Sequence, residues 1–179
     1  PWGFDELWGI ASRTDFDLNA HQDHSKENLS YLDPETNERY IPYVIEPSVG
    51  VERLVLTFLN ESLVDEPLEN DEMRTVLKIH PALSPYKVAI LPLIKKLHKD
   101  QAFKVYQHLS KSFDVTYDDT QNIGKRYRRQ DAIGTYFCIT VDHETENDQA
   151  VTIRHRDTMK QERIKIIDIE SYVAQHIQF

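Results

Sequence analysis

The chain has 179 residues, 40% of them apolar and 28% charged, with a formal net charge of −9. That balance suits one ordinary domain or two small ones and excludes wholesale disorder, and no apolar run approaches the roughly 18 residues of a membrane span. A single cysteine, Cys138, excludes an internal disulfide framework and any multi-cysteine zinc site, so a reducing, cytoplasmic setting is expected.

The opening residues, Pro1-Trp2-Gly3-Phe4-Asp5-Glu6, carry neither the basic nor the apolar region of a secretory leader. Beginning without Met in dense sequence, the chain reads as part of something longer. Glu6 to Asp15 reads in two ways. One is a half-buried strand with surface charges; the other is a site segment in which Glu6 meets Mg²⁺ and Arg13 a substrate carboxylate. His21 and His24 lie three apart but lack a third ligand at a recognised spacing, so a surface loop is expected.

Tyr40 to Ile45 is β-branched and aromatic and predicts a strand. From Val51 the apolar residues Val51, Leu54, Val55, Phe58 and Leu59 mark one face of a helix. Where strand gives way to helix the sequence is Ile45-Glu46-Pro47-Ser48-Val49-Gly50-Val51-Glu52-Arg53. A carboxylate ends a strand, a hydroxyl follows, and an arginine sits in the first turn of a helix. Glu46 could hold an ammonium and Arg53 a phosphate, which guanidinium grips in a fork. The plainer reading is a helix start capped by Ser48, with Arg53 in solvent.

Asn60 to Asp71, acidic and interrupted by Pro67, predicts a solvated connection. His80-Pro81-Ala82-Leu83-Ser84-Pro85 bars a continuous helix and sets a domain boundary near Ser84. Beyond it, strands are expected at Val88–Leu91, Val115–Tyr117, Phe137–Val141, Val151–Ile153 and Arg163–Ile167. Helices are expected at Leu93–Phe113, Ile123–Ile133 and Ile169–His176, an α/β alternation around a central sheet. Cys138, in an apolar strand, reads as core.

Charge divides along the same boundary. Residues 1–78 carry six Lys and Arg against 17 Asp and Glu, whereas residues 79–179 carry 15 against 13. The densest cluster is Gly124-Lys125-Arg126-Tyr127-Arg128-Arg129. It would suit a phosphate backbone with a base stacked nearby, or be a solvated helix face.

Four stretches together resemble the dimeric, eukaryote-like type of glycyl-tRNA synthetase, a class II aminoacyl-tRNA synthetase. They are Glu6-Leu7-Trp8-Gly9-Ile10-Ala11-Ser12-Arg13-Thr14-Asp15-Phe16-Asp17-Leu18, Tyr43 to Leu54, Arg74 to Leu83, and Gly124 to Arg129. Tyr43 to Leu54 is similar to class II motif 3, and the resemblance runs over nearly the whole chain. It implies that residues 1–83 are the C-terminal end of a catalytic domain, an antiparallel sheet with the motif 3 helix. Residues 84–179 would be an α/β anticodon-binding domain with a mixed central sheet.

The resemblance implies glycine contacts at Arg13, Glu46, Pro47, Ser48, Val49 and Gly50, with Glu46 and Ser48 at the ammonium and Arg13 near the carboxylate. It implies ATP contacts at Glu6, Leu7, Gly50, Val51, Glu52 and Arg53, with Arg53 at the terminal phosphates and Glu6 near Mg²⁺. The implied activity is ATP-dependent formation of glycyl-adenylate and transfer of glycine to tRNA-Gly, by a cytoplasmic homodimer with no membrane partner. No side-chain nucleophile is required, because the glycine carboxylate itself attacks the α-phosphate.

Motifs 1 and 2 are expected upstream of Pro1, so this chain alone is expected to be inactive. Lys125, Arg126, Arg128 and Arg129 are the candidates for the tRNA backbone. Ala132 and Tyr136 depart from the acidic residue and proline usual in the family. The alternative is a non-catalytic, nucleic-acid-binding accessory subunit on the same frame, against which the intact Glu46, Ser48 and Arg53 argue. A free-standing RNA-binding module is a third reading.

Overall fold

A computed structural model describes residues 3–68 and 72–178. They form two compact units that divide between Thr57 and Phe58. The readings made at Pro1, Trp2 and residues 69–71 lie outside the described residues.

In the first unit β1 (Trp8–Thr14) is followed by α1 (Phe16–Ser25), β2 (Tyr31–Leu32), β3 (Arg39–Tyr40), β4 (Val44–Val49) and the start of α2 (Val51–Ser62), whose residues from Phe58 on fall in the second unit. β1 pairs antiparallel with β4, and β2 with β3. The strand expected over Tyr40–Ile45 is split, with residues 41–43 outside both β3 and β4. Pro42 in this gap has no N–H for a ladder. His21 and His24 lie on α1 rather than in a loop. α1 escaped sequence reading because its apolar residues, Phe16, Leu18 and Ala20, all fall in its first half and build no face over successive turns. None of the described residues of this unit is buried; Trp8, Ile10, Ile45, Val51 and Val55 all lie exposed.

In the second unit the end of α2 leads into a hairpin, β5 (Leu63–Pro67) against β6 (Met73–Leu77). This corrects the solvated connection expected from Asn60: cross-strand pairing of Val64 with Val76 outweighs the acidic composition, and Pro67 is tolerated as the last residue of its strand. The main sheet comprises β7 (Val88–Pro92), β8 (Val115–Tyr117), β9 (Phe137–Val141), β10 (Ala150–His155) and β11 (Gln161–Lys165). Its order is β11-β10-β9-β7-β8. β7 runs parallel to β8 and β9, while β10 is antiparallel to both of its neighbours, so the sheet is mixed.

β7 and β9 are buried along their whole length because helices cover both faces. The path from β7 through α3 (Lys95–Leu109) to β8, then through α4 (Ile123–Ala132) back past β7 to β9, reverses direction. Two right-handed crossovers of opposite direction put α3 and α4 on opposite faces. On one face Val88, Ile90, Ile139 and Ile153 pack with Ala102, Val105 and Leu109 of α3 and with Ile169 and Val173 of α6 (Ile169–His176). On the other, Ala89, Leu91 and Cys138 meet Ile123 and Tyr127 of α4. Burial pushes the Cys138 thiol up to about 12, as befits a core residue. α5 (Thr145–Asp148) is a single turn between β9 and β10.

Several boundaries differ from expectation: α3 ends at Leu109 rather than Phe113, β10 extends to Ala150 and His155, and β11 begins at Gln161. α3 starts at Lys95 because Ile94 is extended, and β11 ends at Lys165, where a 3-10 turn over Ile166–Asp168 leads into α6.

A buried arginine network fastens the hairpin to this sheet. Arg74 of β6, 1% exposed, donates to Glu66, to Asp131 at 3.2 Å and to the Arg156 carbonyl at 2.9 Å. Arg154 grips the same Asp131 in a fork at 2.8 and 3.0 Å. Arg156 donates to the carbonyls of Ile79 at 2.8 Å and Gly134 at 2.9 Å. Gly134 has φ +82, and a side chain there would also press Leu77 of β6. The compact unit therefore includes residues upstream of Ser84.

Candidate functional site

In the first unit the β1–β4 register sets Gly9 opposite Ser48 and Ala11 opposite Glu46. Glu46 and Ser48 sit two apart and share one face of the ribbon; Pro47 and Val49 alternate with them and take the other face. Arg13 Nε lies 2.9 Å from Glu46 Oε2 and 3.0 Å from Asp17 Oδ2, with the Arg13 and Glu46 side chains 49% and 47% exposed. An amino-acid zwitterion carries the opposite charge at each end, so it could divide this pair and meet both partners.

Gly50 follows β4, its N–H donating to the Leu7 carbonyl at 3.4 Å, and α2 then begins with Val51, Glu52 and Arg53. Arg53 donates to the Glu6 carbonyl and pairs with Asp5 at 2.9 Å. Together with the Glu6 N–H, Arg53 holds the Asp5 carboxyl below its ordinary value; the N–H bond is the larger cause. The Glu6 carboxylate and Ser48 hydroxyl converge over Gly9, where an added Cβ would lie 3.3 Å from Oε1 and 2.9 Å from Oγ.

Arg13, Glu46 and Ser48 are thus on one ribbon with Glu6 and Arg53 at its end. Asp5, Gly9 and Asp17 complete the site without having been singled out in the sequence. Among the described residues no group of three His, Cys, Asp or Glu side chains could hold a metal by itself. Glu6, whose carboxylate lies over Gly9 beside Ser48, is a hard oxygen ligand of the type Mg²⁺ takes.

In the second unit α4 is capped by Asn122, whose side chain accepts from the Lys125 N–H at 2.9 Å. The four candidate cations divide. Lys125 is exposed. Arg128 reaches Glu72 at 3.4 Å. Arg129 grips Asp118 and donates to the Thr120 carbonyl at 2.9 Å. Arg126 is 3% exposed and donates to the carbonyls of Pro92, Asp119, Thr120 and Gln121. Its guanidinium organises the 118–122 loop from beneath. Burial alone would raise the Asp118 carboxyl, but the Thr120 N–H and hydroxyl and Arg129 outweigh it and hold the group low.

This loop lies at the carboxyl ends of β7 and β8, from which the chain leaves toward opposite faces, the place where open α/β sheets take their ligands. Lys95, paired with Asp119 at 3.0 Å, and Leu97, 62% exposed, border the same edge. Tyr136 is half-buried under the Arg156 guanidinium, 5.2 Å from its ring centre, while Ala132 is exposed.

Residues 87–176 match the anticodon binding domain family. Over all 179 residues the chain is 57% identical to a glycine–tRNA ligase of Clostridium beijerinckii and 54% identical to one of Lysinibacillus sphaericus. It is 56% identical to one of Bacillus anthracis. It spans 38–39% of the length of these relatives. The RNA-binding domain of threonyl-tRNA synthetase from Cryptosporidium parvum superposes with a TM-score of 0.62 at 22% identity. That match covers 83% of this chain and 35% of the other, and shows a shared fold.

Proposed function

We propose that this chain, which belongs to the anticodon-binding-domain family, is the C-terminal part of a glycine–tRNA ligase and contributes both to glycine activation and to tRNA-Gly recognition. The observation that carries this reading is the ribbon that gathers Arg13, Glu46, Ser48, Glu6 and Arg53 within one chain with an anticodon-type unit. The functional division is then residues 1–83, from the catalytic domain, and 84–179, the anticodon-binding domain. The hairpin and arginine network couple the end of the one to the other.

In this mechanism Glu46 and Ser48 take the glycine ammonium, and Arg13 turns from Glu46 to the carboxylate. Pro47, Val49 and Gly50 supply main chain beside the substrate. Arg53 meets the terminal phosphates of ATP, with Leu7, Gly50, Val51 and Glu52 lining the nucleotide. Mg²⁺, held by Glu6 and phosphate oxygens, would neutralise phosphate charge. The glycine carboxylate oxygen attacks the α-phosphate and pyrophosphate departs, so this chain's residues orient and neutralise rather than react. Larger amino acids are turned away by exclusion, which is easier than rejecting smaller ones. The parent enzyme acts as a cytoplasmic homodimer.

Lys125, Arg128 and Arg129, steadied by Arg126, meet the anticodon stem or loop, with Lys95 and Leu97 at the same edge. The test is binding of the chain to tRNA-Gly and to the same tRNA with its two anticodon cytosines replaced, at two salt concentrations. A preference for the native anticodon that survives higher salt is expected. Equal binding that collapses with salt means phosphate attraction alone and favours the accessory-subunit reading.

A further inference from the structure

Glycine inside a strand packs nothing and costs backbone entropy, so its presence calls for a reason. Gly9 sits within β1, opposite Ser48, and its φ lies outside the left-handed region, so the backbone there would take any residue. What resists a side chain is the space above it. A Cβ would stand 2.9 Å from Ser48 Oγ, closer than such atoms approach, and 3.3 Å from Glu6 Oε1. Both obstacles are the ends of side chains rather than backbone. The ribbon can accept a methyl group, but only if the Ser48 hydroxyl leaves its rotamer and the Glu6 carboxylate gives by a few tenths of an ångström.

We propose that Gly9 is a positioning residue of the substrate site, whose bare Cα sets the direction of the Ser48 hydroxyl. The hydroxyl and the Glu6 carboxylate face each other across one methyl-sized volume, and Gly9 keeps that volume free. This rests on the assignment of Ser48 to the glycine ammonium. Gly9 itself touches neither substrate nor metal; it acts through Ser48, the closer of its two neighbours.

The experiment uses the full-length ligase that carries this segment. Glycine-dependent exchange of pyrophosphate into ATP is measured for the wild type, Gly9→Ala, Ser48→Ala and the double variant, each with its thermal melt. The expected result is a KM for glycine raised about tenfold by Gly9→Ala, the scale of one lost hydrogen bond, with kcat and the melting temperature little changed. Adding Gly9→Ala to Ser48→Ala should bring no further loss, since the group it acts through is already absent. Wild-type constants in Gly9→Ala, losses that multiply in the double variant, or a loss that follows a lowered melting temperature would each overturn the proposal. A wild-type enzyme with no glycine-dependent exchange would instead remove the glycine assignment, and this inference with it.

Discussion

Arg126 and Lys125 are neighbours with the same charge and opposite duties. Lys125 faces solvent, whereas Arg126 directs its donors to four main-chain carbonyls around the 118–122 loop. A run of cations in sequence cannot separate the two, because the difference depends on where the carbonyls of Pro92 and Asp119 turn after folding. The stretch from Glu46 to Arg53 is more local: strand, hydroxyl and helix start follow one another in sequence as they do in β4 and α2, although the partners Arg13 and Glu6 come from the segment paired with it. Arg126→Ala should therefore destabilise the second unit by about 2–4 kcal/mol in urea melts, since it leaves buried acceptors unpaired. Lys125→Ala should leave stability unchanged while weakening tRNA binding and flattening its salt dependence.

Elements of the main sheet were legible because each stands alone in the sequence. β8, β9 and α6 begin and end where apolar runs and turn residues place them. The hairpin was not, because β5 is acidic and its role depends on what it touches. Glu66 and Arg74 face each other across it, and Arg74 goes on to Asp131, 57 residues away. A chain beginning at Ser84 lacks Arg74 and the Ile79 carbonyl, leaving Asp131 with one of its two arginines and Arg156 short of an acceptor. Residues 84–179 should consequently melt at a lower temperature than residues 63–179, by the several degrees that about 1–3 kcal/mol represents for a domain of this size. Equal melting temperatures would mean that the network adds no stability.

Across the whole molecule, acid acts in two steps of the same sign. The His98 ring accepts the Ile94 N–H on Nδ1 at 3.0 Å and meets His143 through Nε2 at 3.2 Å. Burial, and then His143, hold it below its ordinary 6.5 against the opposing pull of Asp142 and Glu146. Its contribution is complete above that value and is lost as pH falls through the lowered native one. Glu66 is held below 4.5 by hydrogen bonds from Lys78 and Arg74. Asp142, which burial would raise, is held below 3.8 chiefly by Arg163. Both carboxylates stabilise fully above those ordinary values and cease to do so as the pH drops through their native ones. Melting temperature measured against pH should therefore be flat from about 8 to 7, decline gently below about 6.5 and fall steeply below about 4. A rise in stability on going from about pH 7 to 5 would contradict this.

The arginine network also has a timetable. Arg74 leaves the ribosome 57 residues ahead of Asp131 and 82 ahead of Arg156. At about 5–20 residues per second, its carboxylate partner in α4 arrives about 3–11 s later. Until then the hairpin can form its own ladder and the Glu66 pair, but its strongest anchor is still unmade. The hairpin, made first, is therefore tied to α4 and the end of β10 only once Asp131 and Arg156 have been made.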